Sequence, residues 1–368
     1  MATGEQTKPL LASSPITITH RTDLSLLYRG LCFFIKPLRP HLATSKRQYP
    51  AGSPRLEKHP RHIGKVTVIE RGILIPSKLS LDPEINPESN AENLWVYDYY
   101  PTGIENNDGR ASQAHTVYYF AGGGFQAPGS SEHWKFCAHL ASSLSRSRVV
   151  LVSYPLAPHS PAKVTLPFLR RWLVHELQDA RVDGRVVSLA GDSSGANIAL
   201  SLGLWCADQL AMDRSAAEGS DRSYFHQLKS ILVISPPTDL RASGSNPSTA
   251  KTDAGARDPV LGFRISDAAA TAWTADSEDE RRDPYVSLIL ADLSSLRASG
   301  IRVNGVIGTA DVLAPEASSF MERCGGEGVR GEWLVWDGQM HCFPLTACYG
   351  LREGVEGRDW VIRVLEVV

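Results

Sequence analysis

No Cys-x-x-Cys pair and no His-Glu-x-x-His occurs in the 368 residues, so the spacings of a structural zinc site or a zinc-hydrolase helix are missing. Neither sign of charge dominates. The 38 basic and 40 acidic side chains leave a formal charge of −2, too weak a field to gather nucleic acid or an anionic membrane. Apolar runs long enough to cross a bilayer are also lacking. The first apolar segment, Leu24 to Leu38, is interrupted by Arg29, Gly30 and Lys36 and ended by Pro37 and Pro40. Met1 to Lys8 is polar, without the basic-then-apolar layout of a signal peptide. A cytoplasmic setting is therefore expected. There the six scattered cysteines (Cys32, Cys137, Cys206, Cys324, Cys342, Cys348) would serve as reduced, small core hydrophobes.

What is present is the balance of a globular protein, 42% hydrophobic and 21% charged, long enough for one large α/β domain or two ordinary ones. Leu24, Leu27, Leu31, Phe34 and Leu38 recur in steps of three and four, which predicts a helix packed on the rest of the protein. A mobile lid or a membrane-contacting surface over residues 24–38 is the less favoured reading. Ala43 to His62 reads as a loop. From Lys65 on, short β-rich runs take over. Val66 to Pro76 and Asn93 to Tyr100 suggest a hairpin. Further strands follow at Thr116–Phe120, Val149–Tyr154, Val186–Ala190, Ile231–Ser235, Val303–Gly308 and Trp333–Trp336, with helical segments between. Such alternation predicts a mostly parallel central sheet covered by helices on both faces, with the site at the strands' carboxyl ends. Residues 1–62 are expected to form an N-terminal cap or arm. Residues 63–368 are then the catalytic domain, and the polar stretch at about 239–299 a cap insertion, longer than a crossover requires.

Gly191-Asp192-Ser193-Ser194-Gly195 is a G-x-S-x-G pentapeptide placed between a strand and a helical run. That setting makes Ser193 the apex of a sharp strand-to-helix turn, where a nucleophile is pushed out beside a helix N-terminus. A serine needs a base and an orienting acid. Asp311 follows the strand that ends at Gly308, and His341 lies in the loop after the last strand, giving the chain order Ser, Asp, His. Asp239 and Glu316 are the rival acids. His226 is the other histidine after Ser193, and it falls too early for that order. Gly122-Gly123-Gly124 directly follows another strand, where bare N–H groups can face a developing oxyanion.

These motifs, together with Tyr154-Pro155-Leu156-Ala157-Pro158, Ser235-Pro236 and Asp239-Leu240, resemble the hormone-sensitive-lipase branch of the α/β-hydrolases. The resemblance runs from about Tyr118 to Phe343. It implies an α/β-hydrolase fold with a helical cap, oxyanion donors at the N–H groups of Gly123, Gly124 and Ser194, and no metal or organic cofactor. The family usually carries histidine before its three glycines, where this chain has Ala121, so the departure falls on the geometry of the oxyanion loop. The general texture also resembles hydrolases of fungal secondary-metabolite pathways. The expected function is hydrolysis of an ester or lactone of a small, moderately apolar molecule through an acyl-enzyme on Ser193. The alternatives are acyl transfer, cyclisation or elimination at the same site, and a non-catalytic ligand-binding protein on the same fold.

Overall fold

The computed structural model describes residues 15–38, 48–56, 58–76, 92–101, 113–215, 222–241 and 258–367. Ten strands form one sheet in the order β1-β10-β9-β8-β7-β5-β6-β4-β3-β2. They are β1 (Ile16–Arg21), β2 (His62–Ile63), β3 (Val66–Ile75), β4 (Glu92–Pro101), β5 (His115–Phe120), β6 (Ser147–Ser153), β7 (Val186–Asp192), β8 (Leu228–Ile234), β9 (Arg302–Gly308) and β10 (Gly331–Trp336). From β1 across to β6 every pairing is parallel; β4, β3 and β2 close the far edge antiparallel. The predicted hairpin is the β3–β4 pair, with Val66 opposite Pro101.

Side chains alternate across a strand, and the core divides accordingly. Tyr118, Phe120, Val150 and Leu189 point to one face, where helices Ala162–Val182 (α3) and Ser193–Ser215 (α4) bring Trp172, Leu177 and Ile198. Val117, Tyr119, Val149 and Ala190 point to the other, against Phe136 and Leu140 of Ser131–Ser143 (α2) and Val361 and Leu365 of the helix Arg352–Glu366. Near-continuous apolar strands such as β5 and β6 follow from burial on both sides.

Two expectations need correction. The division at residue 62 does not hold, because β1 is an integral strand of the sheet and pairs in parallel with β10 from Ile16↔Gly331 to Arg21↔Trp336. An edge strand exposes one face, so the sequence Ile-Thr-Ile-Thr-His-Arg carries too little apolar signal to announce itself. The helix of the first apolar segment, α1 (Leu26–Ile35), exists, but its buried face is not the predicted stripe. Tyr28 is buried and Leu31, Cys32 and Ile35 are half-buried, whereas Leu27 and Phe34 point to solvent with Leu26 and Phe33. The insertion at 239–299 is partly helical where described, with Phe263–Trp273 (α5), Glu278–Arg282 (α6) and Ser294–Ser299 (α7). Its residues 242–257, like 1–14 of the arm, lie outside the described residues.

Candidate active site

β7 runs directly into α4, and Ser193 stands at the junction with φ +49°, a left-handed backbone that a non-glycine residue adopts only under local constraint. The turn is tight because α4 crosses close above β5. A Cβ on Gly195 would lie 2.0 Å from the Phe120 carbonyl oxygen, so this position accepts glycine alone.

The loop after β10 brings His341 Nε2 to 2.9 Å from Ser193 Oγ. His341 Nδ1 lies 2.9 Å from Asp311 Oδ2. A carboxylate only accepts, so Nδ1 carries the proton and Nε2 is left to accept from the Ser193 hydroxyl. Asp311 is buried, and its other oxygen accepts the N–H of Leu313 at 2.9 Å. Burial disfavours a charged imidazole here, but the attraction of Asp311 outweighs it and raises His341 well above an ordinary histidine. The rival acids are engaged elsewhere. Asp239 pairs with Arg241 at 2.6 Å, and Glu316 accepts the N–H groups of Thr238 and Asp239. His226 lies in a short 3-10 turn ahead of β8, remote in the topology from the loop of His341.

The glycine loop is anchored at two successive residues. The Tyr154 hydroxyl donates to the Ala121 carbonyl at 2.8 Å, and the Gly122 N–H donates to Asp192 Oδ1 at 3.0 Å. Asp192 is in turn held by the Tyr119 hydroxyl at 2.8 Å and by His133 Nε2 at 3.1 Å. His133 Nδ1 accepts the Ser130 N–H at 2.9 Å, which leaves its proton on Nε2, facing Asp192. Loop rigidity is thus supplied without a histidine at position 121. Among the described residues no acceptor takes the N–H of Gly123 or Gly124, and both line the same cavity as Ser193, Ser194 and His341.

Sequence reasoning missed His133, although it closes a capping box at the start of α2, and it missed Asp192, the second residue of the G-x-S-x-G motif. It also missed Asp258. This fully buried carboxylate accepts the N–H groups of Val260 (2.8 Å), Leu261 (3.1 Å) and Val312 (3.3 Å), tying the insertion to the Asp311 loop. Burial first, and then the charge of Asp311, push its carboxyl up to about 6. Asp258, Asp311 and His341 bring one ligand atom each within 4.8 Å of one another. A cation there would compete with the His341–Asp311 hydrogen bond, so the cluster is better described as an acid pair beside the histidine.

The cavity over Ser193 has a volume of about 970 Å³ and is walled by apolar side chains from α1, the glycine loop and the insertion, among them Leu31, Ile35, Phe125, Leu261 and Ala270. No described helix is long and apolar enough to cross a membrane.

Residues 117–345 match the model of a family described as alpha/beta hydrolase fold. Lipase 2 of Moraxella sp. (strain TA144) is 25% identical over 259 residues, 66% of this chain; the match spans 58% of that lipase's own length, less than two thirds. An esterase of Acinetobacter venetianus is 24% identical over 291 residues, covering 76% of this chain and 88% of the esterase. Carboxyl esterase 2 of the mycorrhizal fungus Tuber melanosporum superposes with TM-score 0.67 at 18% identity, over 94% of this chain and 99% of that one. An esterase of Pyrobaculum calidifontis gives 0.63 at 19%, over 94% and 99%. The strand-to-helix serine turn and the loops of Asp311 and His341 all fall inside the matched region, and the chain belongs to the alpha/beta hydrolase fold family.

Proposed function

We propose that the protein is a serine carboxylesterase that hydrolyses an ester or lactone of a small, moderately apolar molecule. The observation that carries this reading is the unbroken hydrogen-bond chain from Ser193 through His341 to Asp311 at the floor of an apolar cavity. His341 takes the Ser193 proton as Oγ attacks the carbonyl carbon, and the imidazolium is stabilised by Asp311. The N–H groups of Gly123, Gly124 and Ser194 receive the oxyanion, each such donor contributing a factor of about 10² to 10³ in rate. His341 then protonates the departing alkoxide, and water, activated by the same imidazole, releases the acid.

A cavity of about 970 Å³ is at the upper end for small-molecule sites and has room for a substrate larger than a simple acetate of a short alcohol. An acetylated or lactone-containing natural product is the substrate class we propose for it. We further propose a reducing, cytoplasmic setting, in which the six free cysteines remain thiols.

The test is fluorophosphonate labelling of the purified protein beside a short-chain aryl ester assay. Ser193→Ala should abolish labelling, and both Ser193→Ala and His341→Ala should lower kcat by about 10⁴-fold or more. A folded, unmutated protein that neither labels nor turns over ester would overturn the proposal in favour of a ligand-binding protein.

A further inference from the structure

We infer that the N-terminal segment is a positioning element for His341, and that Tyr28 is its working contact, a positioning residue that fixes the histidine loop through the Met340 N–H. The inference rests on the esterase reading of the site.

His341 sits on a loop that leaves β10, and its imidazole must stay within hydrogen-bond reach of Ser193 for proton transfer to occur. The N-terminal segment accompanies that loop almost residue by residue. β1 ends beside the end of β10, with Arg21 opposite Trp336. The Asp337 N–H donates to the Arg21 carbonyl at 2.8 Å, and Trp336 Nε1 donates to the Asp23 carbonyl at 2.8 Å. The Arg21 guanidinium lies 3.8 Å over the Trp336 ring. Leu24 packs so closely on Gly338 that a Cβ there would sit 2.5 Å from its Cδ1. The last contact is the decisive one. The Met340 N–H donates to the Tyr28 hydroxyl oxygen at 2.7 Å, one residue before the histidine.

On the other side of His341 the Cys342 N–H donates to Ser235 Oγ at 3.0 Å. Cys342 has φ +51°, so the backbone there does not hold itself in the relaxed regions and depends on such tethers. His341 is therefore clamped by one hydrogen bond from the core of the domain and one from a helix more than 300 residues earlier. Tyr28 is itself held. It is 1% exposed, Ser25 Oγ accepts its N–H at 3.1 Å, and the Ser25 N–H donates to buried Glu353 at 2.5 Å. The inner wall residues Leu31 and Ile35 follow on the same helix, so one element shapes the cavity and sets the base.

Tyr28→Phe in the full chain removes the acceptor and keeps the ring. We expect kcat to fall about 10- to 100-fold for a short aryl ester, the range of a small misplacement of a catalytic group. KM should stay within about twofold, because the aryl ester meets the same cavity wall. The rate of fluorophosphonate labelling should fall by the same factor as kcat. Hydrogen exchange at Met340 should quicken while the amides of β7 and α4 keep their protection. Leu27→Ser, on the exposed face of the same helix, should leave kcat unaltered. Unchanged kcat and labelling in Tyr28→Phe would overturn the inference, as would a loss matched by equal deprotection of β7. Should Tyr28→Phe fail to fold, the unmutated protein decides: Met340 must exchange at the rate of the α1 amides, and exchange far faster than α1 would sink the idea. That readout is independent of activity. An unmutated protein without turnover therefore refutes the esterase reading alone, while the exchange rate of Met340 decides the tether.

Discussion

Ser193, Asp311 and His341 were legible because each follows a strand in an order the fold enforces, and a strand end is a place a sequence can mark. His133, Asp258 and Tyr28 were not, because each acts through a partner far away in the chain: Asp192, Val312 and Met340. A lone histidine, aspartate or tyrosine carries no signal of such a partner. Asp258 yields a prediction. Its folded carboxyl titrates near 6 against an ordinary 3.8, so the folded state binds the proton more tightly than the unfolded state. The contribution to stability is therefore present at pH 4 and is lost as pH rises to about 6.5. Asp258→Asn removes this dependence. Denaturant unfolding should show the variant gaining on the unmutated protein by up to ~3 kcal/mol between pH 4 and 6.5, the scale set by about two pKa units. A pH-independent difference would mean that burial and the neighbouring Asp311 do not raise the Asp258 carboxyl at all.

At the scale of the element, sequence patterning located α1 and misjudged its face. Leu24, Leu27, Leu31 and Phe34 make a regular stripe, but Leu26, Tyr28, Cys32, Phe33 and Ile35 leave apolar residues on nearly every side of the helix. A pattern with no polar face cannot choose which side turns inward. Tertiary contacts decide, through the Tyr28 hydrogen bond and the cavity. The strands β5 to β10 were read well because both of their faces are buried and little but apolar residues fits. The solvent face of α1 should make the protein adhesive. Exchanging Leu27 and Phe34 for serine should reduce concentration-dependent light scattering. It should leave short-ester kcat within about twofold, since substitutions at exposed positions seldom exceed ±0.5 kcal/mol. A large loss of activity would show that this face is packed in solution.

For the whole molecule, the alternation of strands and helices was enough to specify a parallel sheet with a site at its carboxyl edge. The cavity volume was not readable, because its wall is assembled from α1, the glycine loop and the insertion. Ala270 in α5 lines that wall and is 8% exposed. Ala270→Phe should fill part of the space, raise KM for bulky esters by about tenfold or more, and leave acetate hydrolysis nearly unchanged, since a few added methylene equivalents amount to about 1–3 kcal/mol of discrimination. Equal effects on both substrates would place the bulky group elsewhere.

The parallel pairing of Ile16 with Gly331 also has a bearing on biosynthesis. Once translated, β1 waits for its partner until about 300 further residues have been added, roughly 15–60 s at typical elongation rates. During that interval the serine turn can form, but the loop carrying its base does not yet exist and the helix that tethers it has nothing to hold. A nascent chain therefore has no assembled triad, and competence arrives only when β1 and β10, far apart along the polypeptide, meet.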